Sequence, residues 1–362
     1  HRRMHTDGSM TIVLATDSFK GCLTSQEVEA TLAVVLRAKG KQVLCLPMSD
    51  GGDGMLDAFS QAMKGELREA VVHDPLMRIV KARYAVCPNG TAIIESAQAC
   101  GLHLMSKDER NPLKATTYGV GELLLAAMNE GCRDFIIGLG GSGTSDCGRG
   151  MLMALAQKLT CGQLEALPAH PMIRSCRFIL ASDVQNPLYG PMGAARIYGG
   201  QKGASPAMQE VLDRQAMDFA TQSAQLLGHD ESLSPGAGAA GGLGYAFLQY
   251  LGATAQSGAD ILLQSIQFAT LTEGTSLIIT GEGSADRQTL MGKLPMHILR
   301  QSQTSSQVPV WLIAGRVNDR EQLLQAGFQR VECINPAHLP QAEATLPEVA
   351  KTRLKQWAED NF

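Results

Sequence analysis

The segment that decides the fold is an apolar run followed at once by a cluster of glycines, Phe135-Ile136-Ile137-Gly138-Leu139-Gly140-Gly141-Ser142-Gly143-Thr144-Ser145-Asp146. The apolar run has the length of a buried strand, and a helix-like segment follows over residues 151–159. Glycine has no Cβ, so backbone N–H groups can converge there, and a helix N-terminus adds unpaired donors and partial positive charge. This order of strand, glycines and helix is typical of α/β proteins and predicts an anion-binding turn.

Strand-like and helix-like segments also alternate at both ends of the chain. The pattern predicts strands over residues 11–15, 43–46, 308–313 and 331–334. It predicts helices over residues 26–38 and 320–326. Such β-α-β units build a mostly parallel sheet, whereas the middle of the chain begins with successive strands over residues 71–94. Because 362 residues exceed what one core usually organises, we predict two domains.

The predicted fold class is α/β, with one domain inserted in the other. A discontinuous Rossmann- or flavodoxin-like parallel-sheet domain comprises residues 10–75 plus 285–362, formed by both chain ends. A second α/β domain with glycine-rich loops comprises residues 76–284. Residues 1–9 are polar and lack the apolar core of a secretory signal, so we predict that they are a remnant preceding a native start at Met10.

Composition narrows the classes of partner. Lys and Arg number 31 against 35 Asp and Glu, a net charge of -4, and aromatic residues make up 5%, which disfavours nucleic acid. No apolar run approaches the roughly 18 residues of a membrane span. The nine cysteines form no C-x-x-C pair, which predicts reduced thiols. We therefore expect a cytoplasmic protein without nucleic acid or membrane partners.

Two further glycine-rich segments occur at residues 236–242 and 281–286. The first two of the three satisfy the dinucleotide-binding pattern G-x-G-x-x-G, which also needs an acidic residue at the end of the next strand. Glu165 and Asp260 lie at about the required distance, but neither closes a strand-like segment. No Walker A loop is present. The alternative to anion binding is that the glycines of each segment serve only tight packing.

Carboxylates follow several of the predicted strands. These residues are Asp17, Asp50, Asp53, Asp183 and, closing the third glycine segment, Asp286. Ligands of open α/β sheets bind beyond the carboxyl ends of strands, and Mg²⁺ takes one or two carboxylates together with phosphate oxygens. Lys20, Lys202 and Lys293 lie in similar turns and would neutralise phosphate charge. Taken singly, each Asp has the alternative role of a helix cap or turn residue, and each Lys that of a solvated side chain.

Eight blocks of sequence, spread in order over residues 11–315, together resemble the bacterial type of the glycerate kinase family. The blocks are Asp17-Ser18-Phe19-Lys20-Gly21, Asp50-Gly51-Gly52-Asp53-Gly54, Arg110-Asn111-Pro112-Leu113 with Thr116-Thr117-Tyr118-Gly119, Gly140-Gly141-Ser142, Asp183-Val184 with Asn186-Pro187-Leu188, Gln201-Lys202-Gly203-Ala204, residues 235–242, and Gly281-Glu282-Gly283 with Asp286, Gln288-Thr289 and Gly292-Lys293. The ordered set is far more specific than any one glycine motif.

The resemblance implies an ATP-dependent kinase that phosphorylates D-glycerate with Mg²⁺, in a cleft between two α/β domains. Members close to this pattern make 2-phosphoglycerate in sugar-acid or glyoxylate catabolism, and 3-phosphoglycerate is the alternative product. An NAD-dependent hydroxyacid dehydrogenase and a sugar-acid-binding regulator are the rival classes. The sequence leaves the oligomeric state open.

On the matching positions we expect three kinds of site residue. Asp183 is expected as the catalytic base, with Lys20 and Lys202 as the catalytic cations. The expected ATP-phosphate contacts are Gly140, Gly141, Ser142, Gly143, Thr144, Gly238, Gly241 and Gly242, the expected substrate contacts are Ser18, Lys20, Asp50, Asn111 and Lys293, and the expected metal ligands are Asp286 and Asp53. Arg149 stands where the family commonly has a small residue and would add charge near the phosphate site.

Overall fold

The computed structural model describes residues 10–49, 51–52 and 54–362. The predicted remnant at residues 1–9, and the predicted site residues Asp50 and Asp53, lie outside the described residues. The chain forms two compact units: the described part of residues 1–50 together with Ala259–Phe362, and Gly51–Gly258. Among the described helices, none is long and apolar enough to cross a membrane.

Eleven strands and fifteen α-helices are assigned within the described residues. The strands are β1 Thr11–Leu14, β2 Gln42–Cys45, β3 Glu66–His73, β4 Ile79–Val86, β5 Ala92–Glu95, β6 Asp134–Gly138, β7 Arg177–Ala181, β8 Thr254–Gln256, β9 Leu277–Ala285, β10 Val310–Val317 and β11 Arg330–Cys333. The helices are α1 Ser25–Ala38, α2 Met55–Ala62, α3 Ala97–Cys100, α4 Tyr118–Asn129, α5 Arg149–Leu159, α6 Pro171–Ser175, α7 Ala194–Tyr198, α8 Pro206–Leu227, α9 Ala239–Leu251, α10 Gly258–Ser265, α11 Phe268–Leu271, α12 Leu294–Thr304, α13 Arg320–Ala326, α14 Gln341–Ala344 and α15 Pro347–Asn361. Short 3-10 helices occur at Leu102–Leu104, Lys107–Glu109, Leu164–Ala166, Gly200–Lys202 and Arg287–Met291.

The unit formed by both chain ends contains a five-stranded sheet in the order β2-β1-β9-β10-β11, with all strands parallel. Counted along the chain, this is the flavodoxin-like order 2-1-3-4-5, whose topological switch point lies between β1 and β9. Leu14, Ile279 and Ile313 are fully buried in its core, as expected for strands covered on both faces. The predicted α/β class is confirmed, and the carboxyl edge at the switch point is where a ligand is expected.

The second unit contains a six-stranded mixed sheet in the order β3-β4-β5-β6-β7-β8. Strands β3 to β5 pair antiparallel, and β5 to β8 pair parallel. The predicted domain boundaries, after residues 75 and 284, differ from the unit boundaries after residues 50 and 258. The reason is strand pairing: β3 pairs with β4 of the second unit, whereas β9 pairs with β1 and β10 of the first.

The third glycine segment, predicted to be a turn over residues 281–286, is a strand over most of its length. Strand β9 continues to Ala285, and its register on β10 runs from Ile278 opposite Val310 to Ala285 opposite Val317. The amide of Asp17 also donates to the Gly281 carbonyl at 3.0 Å. A Cβ on Gly281 would lie 2.7 Å from the carbonyl oxygen of Ile313. Glycine is therefore needed there for close strand approach, and the predicted turn is wrong.

Candidate active site

In the unit formed by both chain ends, predicted substrate residues lie at the switch point of the sheet. Asp17 follows the end of β1 at Leu14 by three residues, and its carboxylate accepts the backbone N–H of Ser18 at 2.8 Å. Lys20 is exposed, and its backbone nitrogen lies 3.5 Å from the position that a Cβ on Gly283 would occupy. The segment after β1 therefore brings the Lys20 backbone close to Gly283 of β9.

Glu282, beside Gly283, is a buried carboxyl group to which the sequence analysis assigned no role. Its Oε1 accepts the Thr289 hydroxyl at 2.9 Å, and Nζ of Lys293 lies 4.0 Å away. Burial raises the pKa of Glu282 to about 7, against the opposing effects of the Thr289 hydrogen bond and the Lys293 charge. A carboxyl group that titrates near neutral pH fits acid–base chemistry. The available signal was an acidic residue between two glycines, directly after a strand-like segment.

Asp286, one of the two predicted metal ligands, caps the 3-10 helix Arg287–Met291. Its carboxylate accepts the Gln288 amide at 2.8 Å, and its own amide donates to the Thr289 hydroxyl at 3.1 Å. The alternative role of a helix cap therefore applies to Asp286. A carboxylate has about four lone-pair sites, so capping does not prevent it from also binding a cation.

In the second unit, the first glycine turn follows β6 and pairs with the chain after α3. The Gly143 amide donates to the Cys100 carbonyl at 2.8 Å, and the Thr144 amide donates to Ser142 Oγ at 3.2 Å. Two of the amides predicted to bind phosphate therefore already have acceptors within the chain. Gly141, by contrast, is exposed at the tip of the turn with a φ of +80°.

The N-terminus of α5, which follows this turn, is capped by side chains. The Asp146 carboxylate accepts the amides of Gly148 at 2.9 Å and Gly150 at 3.1 Å, together with the Thr117 hydroxyl. The Met151 amide donates to Thr117 Oγ1 at 3.0 Å. These contacts use the donors that a bound anion would otherwise occupy. The helix end is therefore a structural cap, and Asp146 is its main acceptor.

Lys202 is the buried cation of the second unit. Only 3% of it is exposed, and its Nζ donates to the Thr144 carbonyl at 2.6 Å and approaches Ser142 Oγ at 3.4 Å. Burial lowers the pKa of Lys202 to about 8, partly offset by the charges of Cys100 and Asp146. The ammonium group is thus held against the first glycine turn by a carbonyl and a hydroxyl, which do not neutralise its charge.

The second glycine cluster is explained by packing. Ala240, Gly241 and Gly242 all adopt left-handed backbone angles before the regular part of α9. A Cβ on Gly241 would lie 1.9 Å from the Thr144 carbonyl oxygen, and one on Gly238 would lie 2.3 Å from that of Pro187. Tight packing is therefore enough to explain the glycines of this cluster. Phosphate contacts by Gly238, Gly241 and Gly242 stay a prediction.

The remaining predicted residues of this unit lie in loops. Asp183 is exposed two residues after β7, and Asn111 Oδ1 accepts the Leu113 amide at 3.1 Å. In the loop before α2, the Gly54 amide donates to Glu95 Oε1 at 2.8 Å. The guanidinium of Arg149 lies 4.8 Å from the ring centroid of Phe219, a cation–π contact that accounts for its orientation.

Comparison with known sequences identifies the family. A sequence model of the glycerate kinase family matches residues 12–361, nearly the whole chain. The chain belongs to the glycerate kinase family. A glycerate kinase of Bacillus subtilis strain 168 is 38% identical over 92% of this chain and 93% of its own. A glycerate 2-kinase of Escherichia coli K12 is 37% identical over 86% of each chain.

A solved structure agrees with this assignment. It is a crystal structure of a Salmonella typhimurium LT2 protein described as a glycerate kinase 2, with a TM-score of 0.80, 32% identity and 97% of both chains covered. Membership of the glycerate kinase family makes the protein a phosphotransferase and implies ATP as its co-substrate. The rival class of NAD-dependent dehydrogenases is therefore wrong for this chain.

Proposed function

We propose that the protein transfers the γ-phosphoryl group of ATP to D-glycerate and forms 2-phosphoglycerate, as a cytoplasmic enzyme of sugar-acid or glyoxylate catabolism. The geometric observation that carries the proposal is Lys202, a buried ammonium group whose hydrogen bonds on the first glycine turn go to a carbonyl oxygen and a hydroxyl. Such a cation fits a reaction whose reactants are anionic. The E. coli relative named glycerate 2-kinase supports the 2-phosphate as product.

Phosphoryl transfer needs alignment and charge neutralisation more than covalent chemistry. In the proposed reaction, Asp183 accepts the proton of the glycerate hydroxyl, whose oxygen forms a bond to the γ-phosphorus while the bond to ADP breaks. Lys202 and Lys20 offset the charge on the transferred group, and Gly140, Gly141 and Ser142 bind the phosphates. Ser18, Asn111 and Lys293 are proposed to bind glycerate.

Magnesium is part of the proposal. Among the described residues, no three His, Cys, Asp or Glu side chains come together as a metal site. A cation that shares phosphate oxygens needs only one or two protein carboxylates, so Asp286 fits as one ligand. Bound Mg²⁺ would neutralise phosphate charge. Asp50 and Asp53 keep their predicted roles as substrate and metal ligands.

The test is product analysis. The protein is incubated with ATP, Mg²⁺ and D-glycerate, and phosphorus NMR distinguishes the 2-phosphate from the 3-phosphate. The 2-phosphate is the expected product. Formation of the 3-phosphate would refute the regiochemistry, and absence of any phosphoglycerate would refute the substrate.

The base assignment has its own test, Asp183→Asn. We expect kcat to fall at least 100-fold, because general base catalysis contributes on the order of 10²–10⁴ in rate. Asp134→Asn, an exposed residue paired with Arg177 in the same unit, is the matched control. A kcat within about tenfold of the parent protein, a loss of only ~1.4 kcal/mol, would show that Asp183 is not the base. Glu282→Gln, measured alongside, tests the other candidate carboxyl group.

A further inference from the structure

Arg110 carries a buried donor with no acceptor, outside the residues given a role above. Its Nε is shielded from water and makes no hydrogen bond with a described residue. Buried polar groups in native proteins are almost always hydrogen-bonded, and charged ones are almost always paired. The residue as a whole is only half-buried, so part of it remains open to solvent. An unpaired, partly desolvated guanidinium is what a binding site for an anion needs.

The surroundings of Arg110 connect it to the buried lysine. Arg110 follows the 3-10 helix Lys107–Glu109 and packs on Gly203, the residue after Lys202. A Cβ on Gly203 would lie 2.9 Å from the Arg110 carbonyl oxygen and 3.4 Å from its Cβ. Lys202 in turn donates to Thr144 of the first glycine turn. A continuous set of contacts therefore links Arg110 to the proposed phosphate turn within one unit.

Two anions take part in the proposed reaction, the phosphate tail of ATP and the carboxylate of glycerate. The phosphates share their charge with Mg²⁺, whereas the carboxylate brings no counter-ion. A guanidinium presents a planar fork of donors that matches a carboxylate with two parallel hydrogen bonds, which an ammonium cannot do. Asn111, next in sequence, is already proposed to bind glycerate.

We infer that Arg110 binds the carboxylate of the hydroxy-acid substrate and makes the enzyme select acids over neutral polyols. This inference rests on the proposed function, and it makes Arg110 a specificity-determining residue.

The test compares Arg110→Gln and Arg110→Lys with the parent protein, and Arg177→Gln is the control. Arg177 is a largely exposed arginine of the same unit whose Nε pairs with Asp134. We expect Arg110→Gln to raise KM for D-glycerate on the order of 100-fold and to leave KM for ATP within about threefold, since the bond lost is charge-assisted. Arg110→Lys should recover only part of the loss. Preference for D-glycerate over its uncharged amide should shrink in both variants.

Calorimetric binding of D-glycerate, without ATP, separates this inference from the proposed function. Weaker binding of D-glycerate by Arg110→Gln supports the inference even if no product is formed. The absence of product would refute only the proposed function. A rise in KM for ATP instead of glycerate would overturn the inference in favour of a phosphate contact. Unchanged constants for both substrates would overturn it too. Thermal unfolding checks the fold, and Arg110→Lys carries the test if Arg110→Gln is unfolded.

Discussion

Glu29 allows a quantitative test of how burial controls stability. The residue lies on α1 with 1% of its surface exposed, and its Oε2 accepts the amide of Thr16 at 2.9 Å and its hydroxyl at 3.0 Å. The Ser25 hydroxyl approaches the same oxygen at 3.4 Å, whereas Oε1 is buried and makes no hydrogen bond within the described part of the chain. Burial raises the pKa of Glu29 from 4.5 to about 8, although the hydrogen bonds from Thr16 and Ser25 act in the opposite direction.

The direction of the pH effect follows from proton uptake. Between pH 4.5 and about 8, the folded protein holds a proton on Glu29 that the unfolded chain has lost. Glu29 therefore favours folding most below pH 4.5, and this contribution declines as pH rises until the folded group ionises near pH 8. At ~1.36 kcal/mol per pH unit, the free energy of unfolding should decrease by about 3 kcal/mol between about pH 5 and 7.5 from this residue alone.

The perturbation is Glu29→Gln, which keeps the shape of the protonated side chain and removes its titration. Urea unfolding of the parent protein and the variant is measured at about pH 5 and about pH 7.5. The cost of the unpaired amide is the same at both values, so it cancels in the comparison. We expect the variant to gain about 3 kcal/mol relative to the parent on going to the higher pH. A difference between the two proteins that does not change with pH would refute the reasoning.

Two further predictions follow from the glycine turns. Gly241→Ala should lower the free energy of unfolding by about 3 kcal/mol or more, because its Cβ would strike the Thr144 carbonyl oxygen, whereas Gly252→Ala should cost only about 1 kcal/mol. Gly252 is the matched control, since its φ of +66° is close to the +63° of Gly241 but nothing lies within 4 Å of its added Cβ. If both variants lose the same free energy of unfolding in urea, the packing argument is contradicted. Lys202→Met should reduce turnover on the order of 100-fold while leaving the thermal midpoint unchanged or raised, because burying an ammonium charge costs folding free energy that an apolar side chain does not. Retained turnover would remove Lys202 from the proposed site.

The sequence predicted the elements whose signals are local. The helices predicted over residues 26–38 and 151–159 and the parallel strands at both chain ends follow from hydrophobic periodicity, and the structure contains them. The family was also recognisable, because its blocks are short, ordered and individually readable. Residues such as Ser18 and Asp183 follow strands, so their placement at the carboxyl ends of the sheets required only the strand assignment.

The features that the sequence could not determine are those that depend on contacts with residues distant in the chain. Residues 281–285 form a strand because β10, some thirty residues later, supplies its hydrogen bonds, although the glycines alone suggest a turn. The amide of Gly143 is unavailable to phosphate because Cys100 accepts it, and the glycine at 241 is required by Thr144.

By itself, then, the sequence determined the α/β class, the family and the polar residues at the strand ends, since these depend on neighbours within a few positions. Only the tertiary structure decided which glycines serve packing and which carboxyl groups lose water, as Glu29 and Glu282 do. The physical reason is that burial and backbone pairing depend on the three-dimensional surroundings of a group, and a carboxyl group's pKa follows those surroundings.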